Sequence, residues 1–315
     1  MLSSLKRLVR ERPSLFRRVY PIYTRLNIRR REAWKRLAYG RTLVSAQAAS
    51  HELESLIRKC QPFAAGKIGT SELTAIQYAL AHKPLDQRLQ DLMVVQAGVF
   101  PYDQKTINRF QAFYAETLAK MTYIAVWGNL GERQVIRRFA PSARLIDRKT
   151  LEPHKIAAPW TRALEGKRIV VVSPFNQSIE HQYLNRRNIW QAKPEILPDF
   201  DLNTVRAPFS PGLVPPAEAD WFQRFDNLWS QINARDFDIC LVGAGALSLP
   251  ITAKCVETGR IGIHMGGTTQ IQFGIWGRRW DHDPALQRFK NEHWVSPLPE
   301  ETPTRSQLQD NNSYW

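Results

Sequence analysis

The run from Asp238 to Trp280 constrains the fold more than any other part of the chain. Four apolar residues, Ile239 to Val242, stop at a turn holding Gly243 and Gly245. Helix-compatible residues follow from Leu247 to Thr258, with Pro250 confined to the first turn, where proline is tolerated. Gly259 supplies a C-cap, and a second β-rich run, Ile261 to His264, stops at Gly266 and Gly267. Strand, glycine turn, helix, strand is the βαβ unit of a Rossmann-like sheet. Ligands of such sheets sit beyond the carboxyl ends of the strands, where both glycine turns fall.

The rest of the chain extends this α/β pattern of a mostly parallel sheet flanked by helices. Pro62 to Gly69 reads as a short strand entering a glycine turn, with Thr70 or Ser71 capping a helix over Glu72 to Ala81. Further helices are expected over Leu85–Met93, Asp103–Met121, Ile179–Trp190 and Asp220–Ala234, and strands over Tyr123–Trp127 and Arg168–Pro174. Trp221, Phe225 and Trp229 form an i, i+4, i+8 stripe that reads as core. Residues 133–159 are weakly patterned, and 193–216 read as proline-rich irregular chain. Three regions result: a basic amphipathic helical extension over 1–45, a Rossmann-like domain over 46–296, and a loose polar tail over 297–315.

The net charge is +15, and twelve Lys or Arg fall in the first forty residues, opposed only by Glu11 and Glu32. Apolar and aromatic residues recur among these cations at near-helical spacing, which suits an anionic membrane surface. Each such cation contributes about 1 kcal/mol near that surface. A phosphate backbone would attract the same arginines, but no helix-turn-helix, zinc finger or RNP pattern supports nucleic acid. A solvated helix packed on its own domain is the third reading. No run approaches the roughly 20 apolar residues of a membrane span, and no apolar segment follows the basic start as in a secretory signal. Cys60, Cys240 and Cys255 form no CxxC pattern, which fits a reducing cytoplasm and argues against structural zinc.

Three turns carry the candidate chemistry. In Gly66-Lys67-Ile68-Gly69-Thr70-Ser71-Glu72, free amides at a helix start and the Lys67 ammonium suit a phosphate. Glu72 is placed there as base or metal ligand, or alternatively only complements the helix dipole. Gly243-Ala244-Gly245 lacks the third glycine and the downstream acid of a dinucleotide fingerprint. It is read as a tight turn for a diphosphate, or as a turn that only permits close packing. His264, Gly266, Gly267 and Gln270 lie at the next strand end, with Arg279 downstream as a guanidinium for phosphate, sugar or base. Ser173 ends a further strand. No Gly-x-Ser-x-Gly elbow or HExxH motif points to a hydrolase or zinc peptidase.

Gly66-Lys-Ile-Gly-Thr-Ser-Glu-Leu73, Ala97-Gly-Val-Phe-Pro101, Val172-Ser-Pro-Phe175, Val242-Gly-Ala-Gly-Ala246 and Ile263 to Trp280 together resemble bacterial GT-D-type glycosyltransferase domains of surface polysaccharide or glycoprotein glycan assembly. The resemblance covers about residues 60–282. It implies a Rossmann-like fold that moves a sugar from a nucleotide-sugar donor to a glycan or lipid-linked acceptor, usually with Mn²⁺ or Mg²⁺. On this reading Glu72 and His264 are assigned to catalysis, and Lys67, Gly69, Thr70, Ser71, Ser173, Gly243, Ala244, Gly245, Gly266, Gly267, Gln270 and Arg279 are expected around the donor diphosphate. The family's Asp-x-Glu motif departs here to Thr70-Ser71-Glu72. A hydroxyl is a poor substitute for a carboxylate on a hard divalent cation, so metal use is in question, and Lys67 with Arg278 and Arg279 is the alternative source of positive charge. A transferase of a non-sugar group and a non-catalytic partner of a polysaccharide assembly complex remain open on the same scaffold. The expected location is cytoplasmic, peripheral on the inner face of the plasma membrane.

Overall fold

The computed structural model describes residues 39–309 and 312–315, so the basic extension read over 1–45 lies mostly outside the described residues. The chain divides into two compact units, Met1–Leu43 and Val44–Trp315; the described helices and the cavity belong to the second. Eight strands form one sheet in the order β1-β4-β3-β2-β8-β7-β5-β6. They are β1 (Leu43–Val44), β2 (Ala64–Gly66), β3 (Tyr123–Val126), β4 (Arg144–Asp147), β5 (Arg168–Ser173), β6 (Asp201–Arg206), β7 (Ile239–Val242) and β8 (Ile261–His264). All six pairings between β4 and β6 are parallel. The sequence explains the parallel interior: β3, β7 and β8 are buried at every position, as strands covered by helices on both faces must be.

The three longest described helices begin behind side-chain caps. α1 (Ala46–Arg58), α3 (Gln104–Ala119) and α6 (Trp221–Asn233) start behind Ser45, Asp103 and Asp220, each accepting from a first-turn amide. α2 (Thr70–Leu80) follows β2, α4 (Glu132–Phe139) follows β3, α5 (Asn176–Leu184) follows β5 and α7 (Ser248–Glu257) follows β7. α2 starts at Thr70 behind Gly69 with no side-chain cap, so neither Thr70 nor Ser71 caps it as expected. Pro250 lies in the first turn of α7, as its chemistry requires. Of the expected aromatic stripe, Trp221 and Phe225 are buried in α6 and Trp229 only partly so.

Four further expectations are corrected. The weakly patterned stretch 133–159 contains α4 and β4. The stretch taken as irregular contains β6, an edge strand whose residues are mostly half-buried or exposed, so no apolar alternation marks it. The helix expected over Leu85–Met93 is a single turn, Gln87–Gln90, that continues as a π-helix over Asp91–Ala97; such turns cluster at functional sites. The tail after residue 297 is packed, not loose. Glu301 is fully buried, and its carboxylate accepts from the Gln177 and Ser178 amides and the Ser178 hydroxyl at the start of α5. An acid there satisfies first-turn donors and complements the helix dipole.

The strand order places the site. After β2 the chain builds β3 and β4 on one side, and the later strands fill the other, so the order reverses between β2 and β8. Loops diverge from the carboxyl edge at such a reversal and leave a crevice there.

Candidate functional site

One cavity of about 490 Å³ opens at that edge, within the range that admits a nucleotide-sized ligand. Six strands adjacent in the sheet, β3, β2, β8, β7, β5 and β6, each contribute the loop that follows them: Trp127, Lys67 with Gly69, Gly266 with Gly267, Gly243 to Gly245, Ser173 to Phe175, and Pro208 to Ser210. The residues assigned to catalysis and to the donor diphosphate, from Lys67 and Glu72 through Ser173 and His264 to Gln270 and Arg279, all line this cavity; Arg278, read beside Arg279 as a source of positive charge, is exposed and does not line it. Chain segments nearly 200 residues apart in sequence meet because the parallel sheet aligns their strand ends, as the Lys67 to Met265 contact illustrates.

Two cations flank the Gly266-Gly267 turn. A Cβ on Gly266 would lie 3.1 Å from Lys67 Nζ, and one on Gly267 would lie 3.4 Å from Arg279 Nη1. Lys67 donates to the Met265 carbonyl (3.3 Å) and lies 5.2 Å from the centre of the Trp127 ring. Burial pulls its ammonium down to about 8; Glu152 opposes the shift, while Arg148 and Arg279 add to it. The Arg279 guanidinium lies 4.7 Å from the Tyr314 ring centre and 5.4 Å from that of Trp280. Like charges held on one turn repel, and an anion between them relieves the repulsion.

Glu72 is the third residue of α2 and is 6% exposed. Burial raises its carboxyl pKa, and its own amide hydrogen bond offsets this in part. The carboxylate folds back over Gly69, where any Cβ would overlap it. Gly69 therefore provides room for the acid as well as a turn into the helix. His264 is buried, and its Nδ1 sits 3.3 Å from the Val242 carbonyl. A carbonyl can only accept, so Nδ1 carries the proton and Nε2 is left as an acceptor. Burial, then Lys67, drive its pKa down to about 3. That fixes a neutral imidazole at physiological pH, far from the range that suits a general base. The contribution such a ring can make in the cavity is hydrogen-bond acceptance through Nε2.

The Gly243 turn also differs from its reading. The Gly243 amide donates to Val172 (2.9 Å) and the Ala244 amide to Ser248 Oγ (2.9 Å). Both donors are spent inside the fold, so neither is offered to a ligand. Ser173 Oγ likewise accepts from the Phe175 amide (3.2 Å).

Sequence reasoning missed the tail as part of the wall. Tyr314 and Trp315 line the cavity beside Arg279. The Gln270 amide donates to the Tyr314 carbonyl (2.7 Å), and the Trp315 indole N–H donates to the Glu301 carbonyl (2.8 Å). A Cβ on Gly277 would lie 2.7 Å from the Tyr314 carbonyl carbon, so only glycine lets the tail seat there. Gly277→Ala is expected to lift Tyr314 and Trp315, destabilise the fold by about 1–3 kcal/mol, and expose the tail to rapid limited proteolysis. Cleavage at the wild-type rate would show that the seat tolerates the methyl group. The only signal in the sequence was an aromatic pair closing an otherwise polar segment. Trp127, Arg224 and the Phe209-Ser210 turn were missed as well, and Trp221, read as core, also borders the cavity.

The donor set fits a dedicated divalent metal poorly. Among the described residues Glu72 is the only acidic side chain lining the cavity, Thr70 and Ser71 add neutral hydroxyls, and no group of three or more His, Cys, Asp or Glu gathers at one point. Hard cations favour several anionic oxygens, so no chemical step is assigned to a metal. Several buried polar atoms of cavity residues lack protein partners: Trp127 Nε1, Ser210 Oγ, Trp221 Nε1, Thr269 Oγ1 and Gln270 Oε1. Such groups require water or a polar ligand. The chain matches no family model, no curated protein and no solved structure.

Proposed function

We propose that the protein is a glycosyltransferase that moves a sugar from a nucleotide-sugar donor to a glycan or lipid-linked acceptor in bacterial surface polysaccharide assembly. The observation that supports this reading most is the pair of cations, Lys67 and Arg279, flanking one glycine turn in a cavity that also holds a buried carboxylate. In the proposed reaction the acceptor hydroxyl oxygen attacks the anomeric carbon. The bond from that carbon to the phosphate oxygen breaks, and its electron pair leaves with the nucleoside diphosphate. Lys67 and Arg279 are preorganised for the charge that develops on the leaving group. Glu72 takes the hydroxyl proton, and its raised pKa brings it closer to the range in which a carboxylate is an effective base. His264 Nε2 accepts a hydrogen bond from donor or acceptor.

A thermal-shift screen of nucleoside diphosphates and nucleotide sugars tests the reading. Saturating ligand at 100 times its dissociation constant adds about 2.7 kcal/mol, a shift of several degrees. No shift with any nucleotide would sink the proposal. The single acidic side chain also favours a second reading, a nucleotide-binding but non-catalytic partner of an assembly complex. Stabilisation without release of nucleoside diphosphate in the presence of glycan acceptors would select it.

Among the described residues no helix is long and apolar enough to cross a membrane. A peripheral position on the inner face of the plasma membrane rests on the cation-rich first forty residues. Co-sedimentation with anionic vesicles, falling as salt rises, is the expected behaviour; equal sedimentation with neutral vesicles would contradict it.

A further inference from the structure

The tail is built into the cavity at considerable structural expense. A fully buried acid, Glu301, pins it to α5, and Gly277 and Gly267 leave space for Tyr314. What this anchoring positions is the Trp315 indole. Its N–H is held by the Glu301 carbonyl. Its ring meets Phe175 at 5.9 Å and 72° and Phe209 at 6.1 Å and 44°, so neighbouring rings meet it at steep or tilted angles and none stacks flat on it. Trp315 is only half-buried and lines the cavity. The adjacent residue, Tyr314, carries the Arg279 guanidinium. A cation for phosphate and an indole for a flat ring are thus presented by consecutive residues.

Resting on the reading of this cavity as a nucleotide-sugar site, we infer that Trp315 is a stacking platform for the ring carried by the diphosphate, either the nucleobase or the sugar, and that Tyr314 positions Arg279 against the phosphates. Aromatic stacking contributes enough per ring to change affinity by roughly ten-fold, whereas inorganic pyrophosphate offers no ring and engages only the cations.

Calorimetric titrations of wild-type, W315A, W315L and W315F protein with inorganic pyrophosphate, a panel of nucleoside diphosphates and the matching nucleotide sugars test this. W315A and W315L should weaken the ring-bearing ligand roughly ten-fold relative to pyrophosphate, and W315F should restore most of the loss. A selective loss already present with the nucleoside diphosphate assigns the base to Trp315; one present only with the nucleotide sugar assigns the sugar. Equal weakening of pyrophosphate and nucleotide by W315L, or no selective weakening by either variant, would overturn the inference while leaving the nucleotide site intact. Wild-type protein that binds neither pyrophosphate nor any nucleotide would overturn the underlying function as well.

Discussion

Replacing Lys67 by methionine is expected to weaken nucleoside diphosphate binding about 100-fold at pH 7, the effect typical of removing one partner from a desolvated charge pair. The sign of its pH dependence is fixed by the ammonium. In the free protein Lys67 titrates near 8, and a bound diphosphate raises that value. Affinity should therefore be flat between about pH 7 and 8, where the phosphate itself is already ionised. Above pH 8 it should fall by up to about ten-fold per unit as binding comes to require proton uptake. In K67M that slope disappears, and the two proteins converge by about pH 10. Folding responds in the opposite direction. The unfolded chain holds a proton at this site up to 10.5, whereas the folded chain releases it near 8. Wild-type stability thus rises across that window, and K67M should melt higher at pH 7. Parallel pH profiles for the two proteins would contradict the assignment of Lys67 to the anion.

Glu72→Gln is expected to lower transfer by about 10²- to 10⁴-fold, the range for a general base, with little change in nucleotide affinity. Its stability should be unchanged or improved. Burial raises the folded carboxyl above its ordinary 4.5, so the folded chain holds that proton more tightly than the unfolded chain. Ionised Glu72 therefore costs stability, increasingly so as pH rises from 4.5 through the folded value, and glutamine removes the cost. A melting temperature that rises while turnover collapses is the pattern of a residue kept for function against stability. The acid limb of the wild-type pH–rate profile should vanish with it. Full activity in a folded E72Q protein would remove Glu72 from the mechanism.

The parts of this site that were legible in the sequence are those where local chemistry dictates local structure. Ala64 to Glu72 and Ile239 to His264 each place an apolar run, a glycine stop and a helix start within a few residues, so strand ends could be located and their loops assigned to one edge. Roles inside the cavity depended on partners that pattern does not carry. The Gly243 turn was open to both a diphosphate and a packing reading because Val172 and Ser248, which accept from the Gly243 and Ala244 amides, lie on another strand and in the following helix. The protonation state of His264 was not legible because its burial beside Lys67 is a product of the β2–β8 pairing. The tail was hidden for the reverse reason. Its polar composition describes a solvated segment, yet Glu301 is buried because the open amides of α5 need an acceptor. Strand β6 shows that an edge position relaxes the very alternation by which strands are read.

A crystal structure of the protein with a bound nucleoside diphosphate tests the central claim most directly. The diphosphate is expected over the Gly266-Gly267 turn, in hydrogen-bond reach of Lys67 Nζ and the Arg279 guanidinium, with Glu72 facing the same space. A nucleotide bound elsewhere on the molecule, with both cations untouched, would contradict it.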